Sequence, residues 1–196
     1  MEVNAEETSE NFYHERQHFQ FCLLHCLNNL LQGKKSFSRK ELDSIADGLP
    51  TAILRPSVPN PLSLIFKPHR NAVTGNYDAN VLMSALNARE KEVVWFDHRK
   101  GIEVLLSELA KYGDRLLGMI VNFPTRKLLG IWQGRHWVAV RKLHGMWYNL
   151  DSENAAPVCY VNGEEDLRDY LNFVISTKGV VIFVLNGMGT LSGEKS

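Results

Sequence analysis

Apolar and polar positions alternate with a helical period over residues 12–33, the first patterned stretch of the chain. The apolar stripe consists of Leu23, Leu24, Leu27, Leu30 and Leu31. This three- and four-residue spacing is that of an amphipathic helix. At about 100° of turn per residue, Cys22 lies off the stripe and in the first turn. The pattern therefore predicts a helix with buried leucines that Gly33 ends.

Polar capping residues mark the start of two more helices. Ser38 and Glu41 fit a capping box, and the apolar positions that follow have helical spacing: Leu42, Ile45, Ala46 and Leu49. Asp78 fits the cap of another helix, with these inward positions: Val81, Leu82, Ala85 and Leu86. Amphipathic patterns predict two further helices over residues 102–112 and 164–177.

Apolar runs predict strands in the second half of the chain, over residues 92–96, 116–123, 136–143, 146–151 and 180–185. Residues 116–123 are apolar throughout, which favours a central strand, and Pro124 is expected to stop it. A loop over 126–135, carrying Trp132, is expected before the next strand. Because helices come first and strands dominate later, we predict an α+β fold with a largely antiparallel sheet.

The stretch from 50 to 75 differs in composition from its surroundings. Its prolines exclude a long helix and leave room for one short turn over 62–67: Pro56, Pro59, Pro61 and Pro68. A connection of this length inside a compact domain is usually functional or mobile. The alternative, a solvated insertion without a role, stays open.

Composition and charge exclude several classes of protein. The chain has 196 residues, 44% of them hydrophobic, and a formal net charge of zero. This is typical of one globular domain, expected over residues 11–186. The sequence has no long basic run, which argues against nucleic acid or an anionic membrane as the main partner. Its apolar runs are too short to span a bilayer.

The ends and the cysteines indicate the compartment. Residues 1–10 are acidic and polar, unlike a signal or transit peptide, and we expect them and residues 187–196 to be flexible. Three cysteines, an odd number, favour a reducing environment. We therefore expect a monomeric cytoplasmic or nuclear protein without a cofactor.

Cys22 is the candidate nucleophile. The first turn of a helix has unpaired N–H groups and a partial positive charge, which favour a thiolate. The alternative is a packing role, since cysteine is among the most often buried residue types. A catalytic cysteine also needs a base and a group that orients the base.

His136 is the candidate base, because it opens a strand directly after a loop, where side chains often face a cleft. A hairpin turn centred on residues 144–145 puts His136 opposite Glu153. Asp151 is then its diagonal neighbour on the same face, roughly 7–8 Å away between Cα atoms, and is preferred to Asn149 as the orienting group. A one-residue slip in register would turn Asp151 to the other face. Without the cysteine, a surface hydrogen-bonded pair would be the simpler interpretation.

Two other polar residues lie near Cys22 in sequence. Gln17 lies in the segment before the helix, and its side-chain amide, with a helix N–H, can hold the oxyanion of an acyl-transfer reaction. The alternative is an ordinary exposed glutamine. His25 is three residues after Cys22 and is interpreted as structural, because a base on the same rigid helix has little freedom to move toward a substrate.

A metal site is the main competing interpretation, since histidine and cysteine recur every four residues: His14, His18, Cys22 and Cys26. Twelve residues of helix span about 18 Å, whereas zinc ligands lie about 2.0–2.3 Å from the ion. These four residues therefore cannot form one site, and at most one pair could share a metal with ligands from elsewhere. We predict no metal.

Four blocks of sequence resemble the Josephin family of ubiquitin-specific cysteine proteases, within the papain-like group: YHERQxxxxCLLHCLNNLLQG, GNYDANVLMSAL, RHWVAVRK and WYNLDS. The resemblance implies a helical half packed against the sheet, with the active cleft between them. It assigns Cys22 as nucleophile, His136 as general base, Asp151 as the third member and Gln17 to the oxyanion hole. The family has Asn or Asp at the third position.

The resemblance also implies the reaction and the partners. The expected activity is hydrolysis of the bond after the C-terminal glycine of ubiquitin, with ubiquitin, polyubiquitin chains or ubiquitinated proteins as partners. Trp95, Trp132 and Trp137 are candidates to narrow the cleft for a glycine tail, although core packing is the simpler role for at least two of them. The alternatives are a ubiquitin-binding module with a weak active site and a small zinc protein built on Cys22 and Cys26.

Overall fold

The computed structural model describes residues 12–17, 21–50, 66–67, 69–71, 77–127 and 132–187. The α-helices are α1 (Cys22–Leu31), α2 (Arg39–Gly48), α3 (Ala79–Asn87), α4 (Gly101–Tyr112) and α5 (Glu164–Ser176). The strands are β1 (Phe66–Lys67), β2 (Arg70–Asn71), β3 (Lys91–Phe96), β4 (Leu116–Lys127), β5 (Trp132–Leu143), β6 (Met146–Asn149), β7 (Val158–Cys159) and β8 (Val180–Asn186). The predicted flexible ends lie outside the described residues, apart from Gly187.

The main sheet has six strands in the order β3-β8-β4-β5-β6-β7, and every neighbouring pair is antiparallel. Strand β4 lies at the centre, between β8 and β5, as its apolar sequence predicted. The predicted α+β class with an antiparallel sheet is therefore confirmed. Among the described helices, none is both long and apolar enough to cross a bilayer.

Helices cover both faces of the sheet, and the period-two alternation of the strands explains why. In β8, Ile182 and Val184 belong to the core cluster under α1, α2 and α3. Their neighbours Val181 and Phe183 belong to the cluster under α4 and α5. Successive side chains of a strand point to opposite faces. A strand that is buried on both faces therefore needs the continuous apolar run seen in this sequence.

Helix α1 lies close to the sheet at Gly118. A Cβ atom at this position would come within 2.7 Å of the Val140 carbonyl oxygen and 2.8 Å of Leu30 Cδ1. Both distances are well below ordinary contact, so only glycine fits between the helix and strand β5. This close approach fixes the position of α1, and with it the position of Cys22, relative to the strand that carries His136.

The helix caps are those that the sequence predicted, with one exception at the end of α1. Ser38 and Glu41 form the capping box of α2, and the Asp78 side chain accepts hydrogen bonds from the first turn of α3. Gly33 was predicted to end α1, but the left-handed residue is Gln32, with φ of 54°. Its side chain bonds the Tyr13 backbone at both N–H and C=O, which stabilises this conformation.

Two boundary predictions in the second half were wrong. Strand β4 does not stop at Pro124 but continues to Lys127, and much of the expected loop over 126–135 is strand β5. Beyond Asn122, β4 pairs only with β5. Where a strand has a neighbour on one side alone, a proline can point its nitrogen to the open side without removing a hydrogen bond of the sheet.

In the proline-rich segment, residues 66–67 form a short strand instead of a helical turn. Residues 51–65 lie outside the described part of the chain.

The predicted hairpin register is confirmed. Leu143 pairs with Met146, and Val140 pairs with Asn149. The turn residues His144 and Gly145 have φ values of 47° and 83°, the left-handed region that a tight turn of this type requires. The register continues one step past β6 through the Leu150 N–H, which donates to the Ala139 carbonyl. Asp151 therefore leaves the sheet on the face predicted from the register.

Candidate active site

Cys22 is the first residue of α1 and is buried in the core cluster on that side of the sheet. Phe21 precedes it, and no side chain caps the helix start. The Cys22 thiol is hydrogen-bonded to the imidazole of His136. Helix α1 and strand β5 thus bring together the thiol of Cys22 and the imidazole of His136, which are 114 positions apart in the sequence.

Asp151 holds the other side of the imidazole. His136 Nε2 lies 2.7 Å from Asp151 Oδ1. Because a carboxylate only accepts hydrogen bonds, Nε2 carries the proton, and Nδ1 is left for the thiol. Asp151 Oδ1 also accepts a hydrogen bond from the Glu153 N–H at 2.8 Å. The Asp151 N–H donates to Asn149 Oδ1 at 3.0 Å. The carboxylate is therefore held by its own loop.

Charge and burial act in opposite directions on these groups. Burial lowers the pKa of His136, but the hydrogen bonds with Asp151 and Cys22 and their charges outweigh burial and raise the pKa to about 9. Burial raises the pKa of Asp151, whereas the hydrogen bond and charge of His136 hold it below its ordinary value. At neutral pH the pair is therefore an imidazolium and a carboxylate, and Cys22 has a cationic partner.

Cys26, one turn after Cys22, has a different environment. It is buried, and burial together with the nearby Cys22 and Asp151 raises the pKa of its thiol well above the ordinary value. Of the two cysteines on α1, Cys22 is the one placed for proton exchange with a base.

The segment before α1 is fixed by amide side chains of that helix. Asn29 Oδ1 accepts from the Glu15 N–H at 2.7 Å, and its Nδ2 donates to the Glu15 carbonyl at 3.2 Å. The same Nδ2 donates to the Leu150 carbonyl at 3.0 Å. One fully buried amide therefore joins residues 12–17 to the residues that precede Asp151.

Gln17 lies beside the loop that carries Asp151. Its N–H donates to the Ser152 carbonyl at 2.8 Å. Its side-chain Nε2 donates to Glu153 Oε1 at 3.0 Å, and the Ser152 hydroxyl donates to Gln17 Oε1 at 3.3 Å. The predicted oxyanion-hole residue is thus next to the His136–Asp151 pair, but its amide is engaged by a carboxylate of the same loop.

The histidines near Cys22 have separate partners. His25 Nδ1 lies 2.8 Å from Glu15 Oε1, in agreement with the structural role predicted for it. His14 Nε2 lies 3.1 Å from the Asp151 carbonyl oxygen. Within the described residues, no three His, Cys, Asp or Glu side chains are grouped as donors to a metal ion. His18 lies outside the described part.

Comparison with known proteins decides the family. The family model described as Josephin matches residues 17–186 of the chain. The chain belongs to the Josephin family. The α+β architecture, with α1 packed on an antiparallel sheet, is consistent with the Josephin fold.

Individual Josephin relatives align over most of the chain. A Josephin-like protein of Arabidopsis thaliana is 44% identical over 166 residues, which are 85% of this chain and 45% of that protein. Josephin-2 of Homo sapiens is 39% identical over 173 residues, which are 85% of this chain and 81% of that protein. Ataxin-3 of Homo sapiens is 32% identical over 183 residues, or 91% and 46%. The chain thus spans about half the length of two of these relatives.

The tryptophans of this Josephin domain have different environments. Trp137 is buried in the same core cluster as Cys22, whereas Trp95 is 43% exposed. Both line a cavity of about 440 Å³ with Arg135 and Lys178 at its wall. The side chain of Trp132 lies outside the described part. Trp137 therefore combines a packing role with a place at the cavity wall, whereas Trp95 is largely exposed there.

Sequence reasoning missed several residues that shape this Josephin site. Asn28 and Asn29 are buried polar residues inside a leucine-rich helix, and that pattern is itself a signal, because buried amides need hydrogen-bond partners. Glu153 was placed opposite His136 by the register but was given no role. Phe123 packs edge-on against the His136 ring, with centroids 5.9 Å apart. No sequence signal pointed to that contact.

Proposed function

We propose that this chain is a thiol-dependent deubiquitinase, which hydrolyses the peptide or isopeptide bond after the C-terminal glycine of ubiquitin. Membership of the Josephin family supports a deubiquitinase-type role. The observation that carries the proposal is the hydrogen-bonded series Cys22–His136–Asp151, because it supplies a nucleophile, a base and an orienting carboxylate in contact.

The proposed reaction has two stages. His136 is protonated at neutral pH and holds the proton of the Cys22 thiol, so the sulfur attacks the glycine carbonyl carbon as a thiolate to form a tetrahedral intermediate. As the C–N bond breaks, His136 gives this proton to the leaving amine, and ubiquitin remains as a thioester. Water then gives one proton to His136 and adds to the thioester carbon. The C–S bond breaks, the Cys22 thiolate forms again beside protonated His136, and free ubiquitin leaves.

The other residues act on these two stages. Asp151 keeps the imidazole oriented with Nδ1 toward the thiol and stabilises its protonated form. Gln17 is proposed to donate its amide N–H to the oxyanion of the tetrahedral intermediate. Trp95 and Trp137 are proposed to border the path of the glycine tail. The partners are ubiquitin, polyubiquitin chains and ubiquitinated proteins, in the cytoplasm or nucleus, and no cofactor takes part.

Labelling by an active-site-directed probe tests this proposal. Ubiquitin ending in a cysteine-reactive electrophile should form a covalent adduct with the wild-type chain and none with Cys22→Ala. Cys159→Ser is the matched control, because Cys159 is the partly exposed cysteine on β7, and it should label like the wild type. If the wild type binds ubiquitin without becoming labelled, the chain is a ubiquitin-binding module and the enzyme proposal fails.

A further inference from the structure

One carboxylate oxygen lies between two groups of the proposed catalytic site. Glu153 Oε1 accepts the hydrogen bond from Gln17 Nε2 at 3.0 Å and lies 3.9 Å from His136 Nδ1. Nδ1 is the ring nitrogen that faces the thiol, since Asp151 holds Nε2. An acceptor oxygen of the protein itself thus lies beside both the oxyanion-hole donor and the base.

The Gln17 amide is oriented by two different partners. The Ser152 hydroxyl donates to its oxygen, and Glu153 accepts from its nitrogen. The donor end of the amide is therefore directed at the Glu153 carboxylate. A substrate carbonyl oxygen would need the same N–H, and an ionised carboxylate is a stronger acceptor than a neutral carbonyl.

We propose that Glu153 is a positioning residue that occupies the Gln17 amide in the resting enzyme and must release it to the substrate carbonyl. This inference rests on the proposed function. The Glu153 side chain is 38% exposed, so it can turn into solvent without burying a charge. Glu153 acts as an internal competitor that holds the Gln17 amide beside His136 but lowers the affinity for substrate.

Replacing Glu153 by alanine tests the competition. The Glu153 N–H bond to Asp151 is a backbone contact, so Glu153→Ala leaves the support of Asp151 in place. We expect substrate-like ligands to bind about 3- to 10-fold more tightly, the range of one exchanged hydrogen bond. Glu153→Gln, a weaker neutral acceptor, should give a smaller gain. Glu165→Ala, an exposed glutamate in the first turn of α5, is the matched control and should give no gain.

The probe should form an oxyanion-like centre without requiring ubiquitin. N-acetyl-glycyl-glycinal serves, because the Cys22 sulfur adds to its aldehyde carbon. An S–C bond forms, the carbonyl π bond opens, and the thiol proton ends on the new hydroxyl oxygen. Its affinity is measured as protection of Cys22 from alkylation by iodoacetamide, followed by mass spectrometry. The kcat/KM for a fluorogenic ubiquitin amide is measured in parallel, with KM and kcat separated.

A double-variant cycle decides whether Glu153 acts through Gln17. The gain from Glu153→Ala should disappear in a Gln17→Ala background, in both the glycinal and ubiquitin assays, and it should appear in KM more than in kcat. An unchanged or weaker affinity for the glycinal, or a gain that persists without Gln17, overturns the inference. Failure of the proposed function is distinguishable, because the wild type would then bind the glycinal but cleave no ubiquitin amide.

Discussion

His136 and Asp151 are joined by a hydrogen bond of 2.7 Å between Nε2 and Oδ1, and both groups are largely shielded from solvent. The contact orients the ring and raises its pKa to about 9. Rate and stability should therefore both depend on pH through this pair. The pH dependence of the rate and the pH dependence of stability can be measured separately.

The first prediction concerns the pH dependence of the proposed hydrolysis. The kcat/KM of the wild type should be bell-shaped, with a basic limb near pH 9, where His136 loses its proton. Asp151→Asn keeps an acceptor but removes the charge that raises the pKa of His136, so the basic limb should move to lower pH. We expect kcat/KM at pH 7.5 to fall about 10-fold in Asp151→Asn and about 100-fold or more in Asp151→Ala.

Steady-state assays with a fluorogenic ubiquitin amide from pH 5 to 10 measure these profiles of kcat/KM. His136 titrates together with its partners Cys22 and Asp151, so the test compares the apparent midpoint of the basic limb between variants. A wild-type profile that is flat from pH 5 to 9 would contradict the account. So would a basic limb that Asp151→Asn leaves unmoved.

The second prediction concerns stability. The pKa of His136 is higher in the folded protein than its ordinary 6.5, so its contribution to stability is fully present below pH 6.5 and is lost as the pH rises through about 9. One pKa unit corresponds to about 1.4 kcal/mol, so the free energy of unfolding should fall by about 3 kcal/mol over this window. Asp151 acts in the opposite sense, and its contribution is lost when the pH falls through its lowered pKa.

Urea unfolding at pH 6, 7.5 and 9 tests this prediction. His136→Gln should show a smaller loss of stability between pH 6 and 9 than the wild type does. His98→Gln, an exposed histidine, is the control and should keep the wild-type slope. The pKa of His69 is also raised, by Asp78, so the difference between variants is the test and not the total slope. Equal slopes in His136→Gln and wild type would refute the coupling.

The third prediction concerns Asn29. Its buried amide satisfies the Glu15 N–H, the Glu15 carbonyl and the Leu150 carbonyl. Asn29→Ala leaves these groups without that partner, and we expect a loss of about 2–4 kcal/mol in the free energy of unfolding. Activity should also fall, because the segment of Gln17 and the loop of Asp151 lose their link.

Asn87→Ala is the matched control for this change, because Asn87 is an exposed residue at the end of α3. It should alter stability by no more than about 0.5 kcal/mol. Chemical denaturation measures both variants. If Asn29→Ala is as stable as Asn87→Ala, the amide does not hold the two segments together as described.

Parts of this structure followed from the sequence because they depend on neighbours along the chain. The capping box at Ser38 and the cap at Asp78 are local patterns, and both were predicted. The hairpin register followed from the turn at residues 144–145. It correctly placed Asp151 on the face of His136, across a single pair of adjacent strands.

Other parts depend on contacts that no local pattern encodes. Strand β4 passes Pro124 because β8 no longer lies beside it there, a fact about sheet topology. Gln32 takes the left-handed position because its side chain finds Tyr13, nineteen residues away. The Gln17–Glu153 contact joins side chains from opposite halves of the chain. The sequence pattern identified the members of the candidate site, but the partners of the Gln17 amide required coordinates.

The fourth prediction concerns the close approach of α1 and the sheet. Gly118→Ala would bring a methyl group within 2.7 Å of a backbone oxygen that cannot easily move. We expect a loss of about 1–3 kcal/mol, the usual range for overpacking. Gly48→Ala is the control, because nothing lies within 4 Å of its Cβ and the residue ends helix α2, so it should be neutral or stabilising. Thermal unfolding compares the two, and equal midpoints would contradict this packing.

The most direct test of the central claim is the hydrolysis rate of a fluorogenic ubiquitin amide by three variants of the chain. Cys22→Ala and His136→Gln should each lower kcat/KM by about 1,000-fold or more, because nucleophile and base act as one unit. His98→Gln should keep the wild-type value. Wild-type rates in either Cys22→Ala or His136→Gln, with the fold intact, would contradict the assignment of this pair as the catalytic centre.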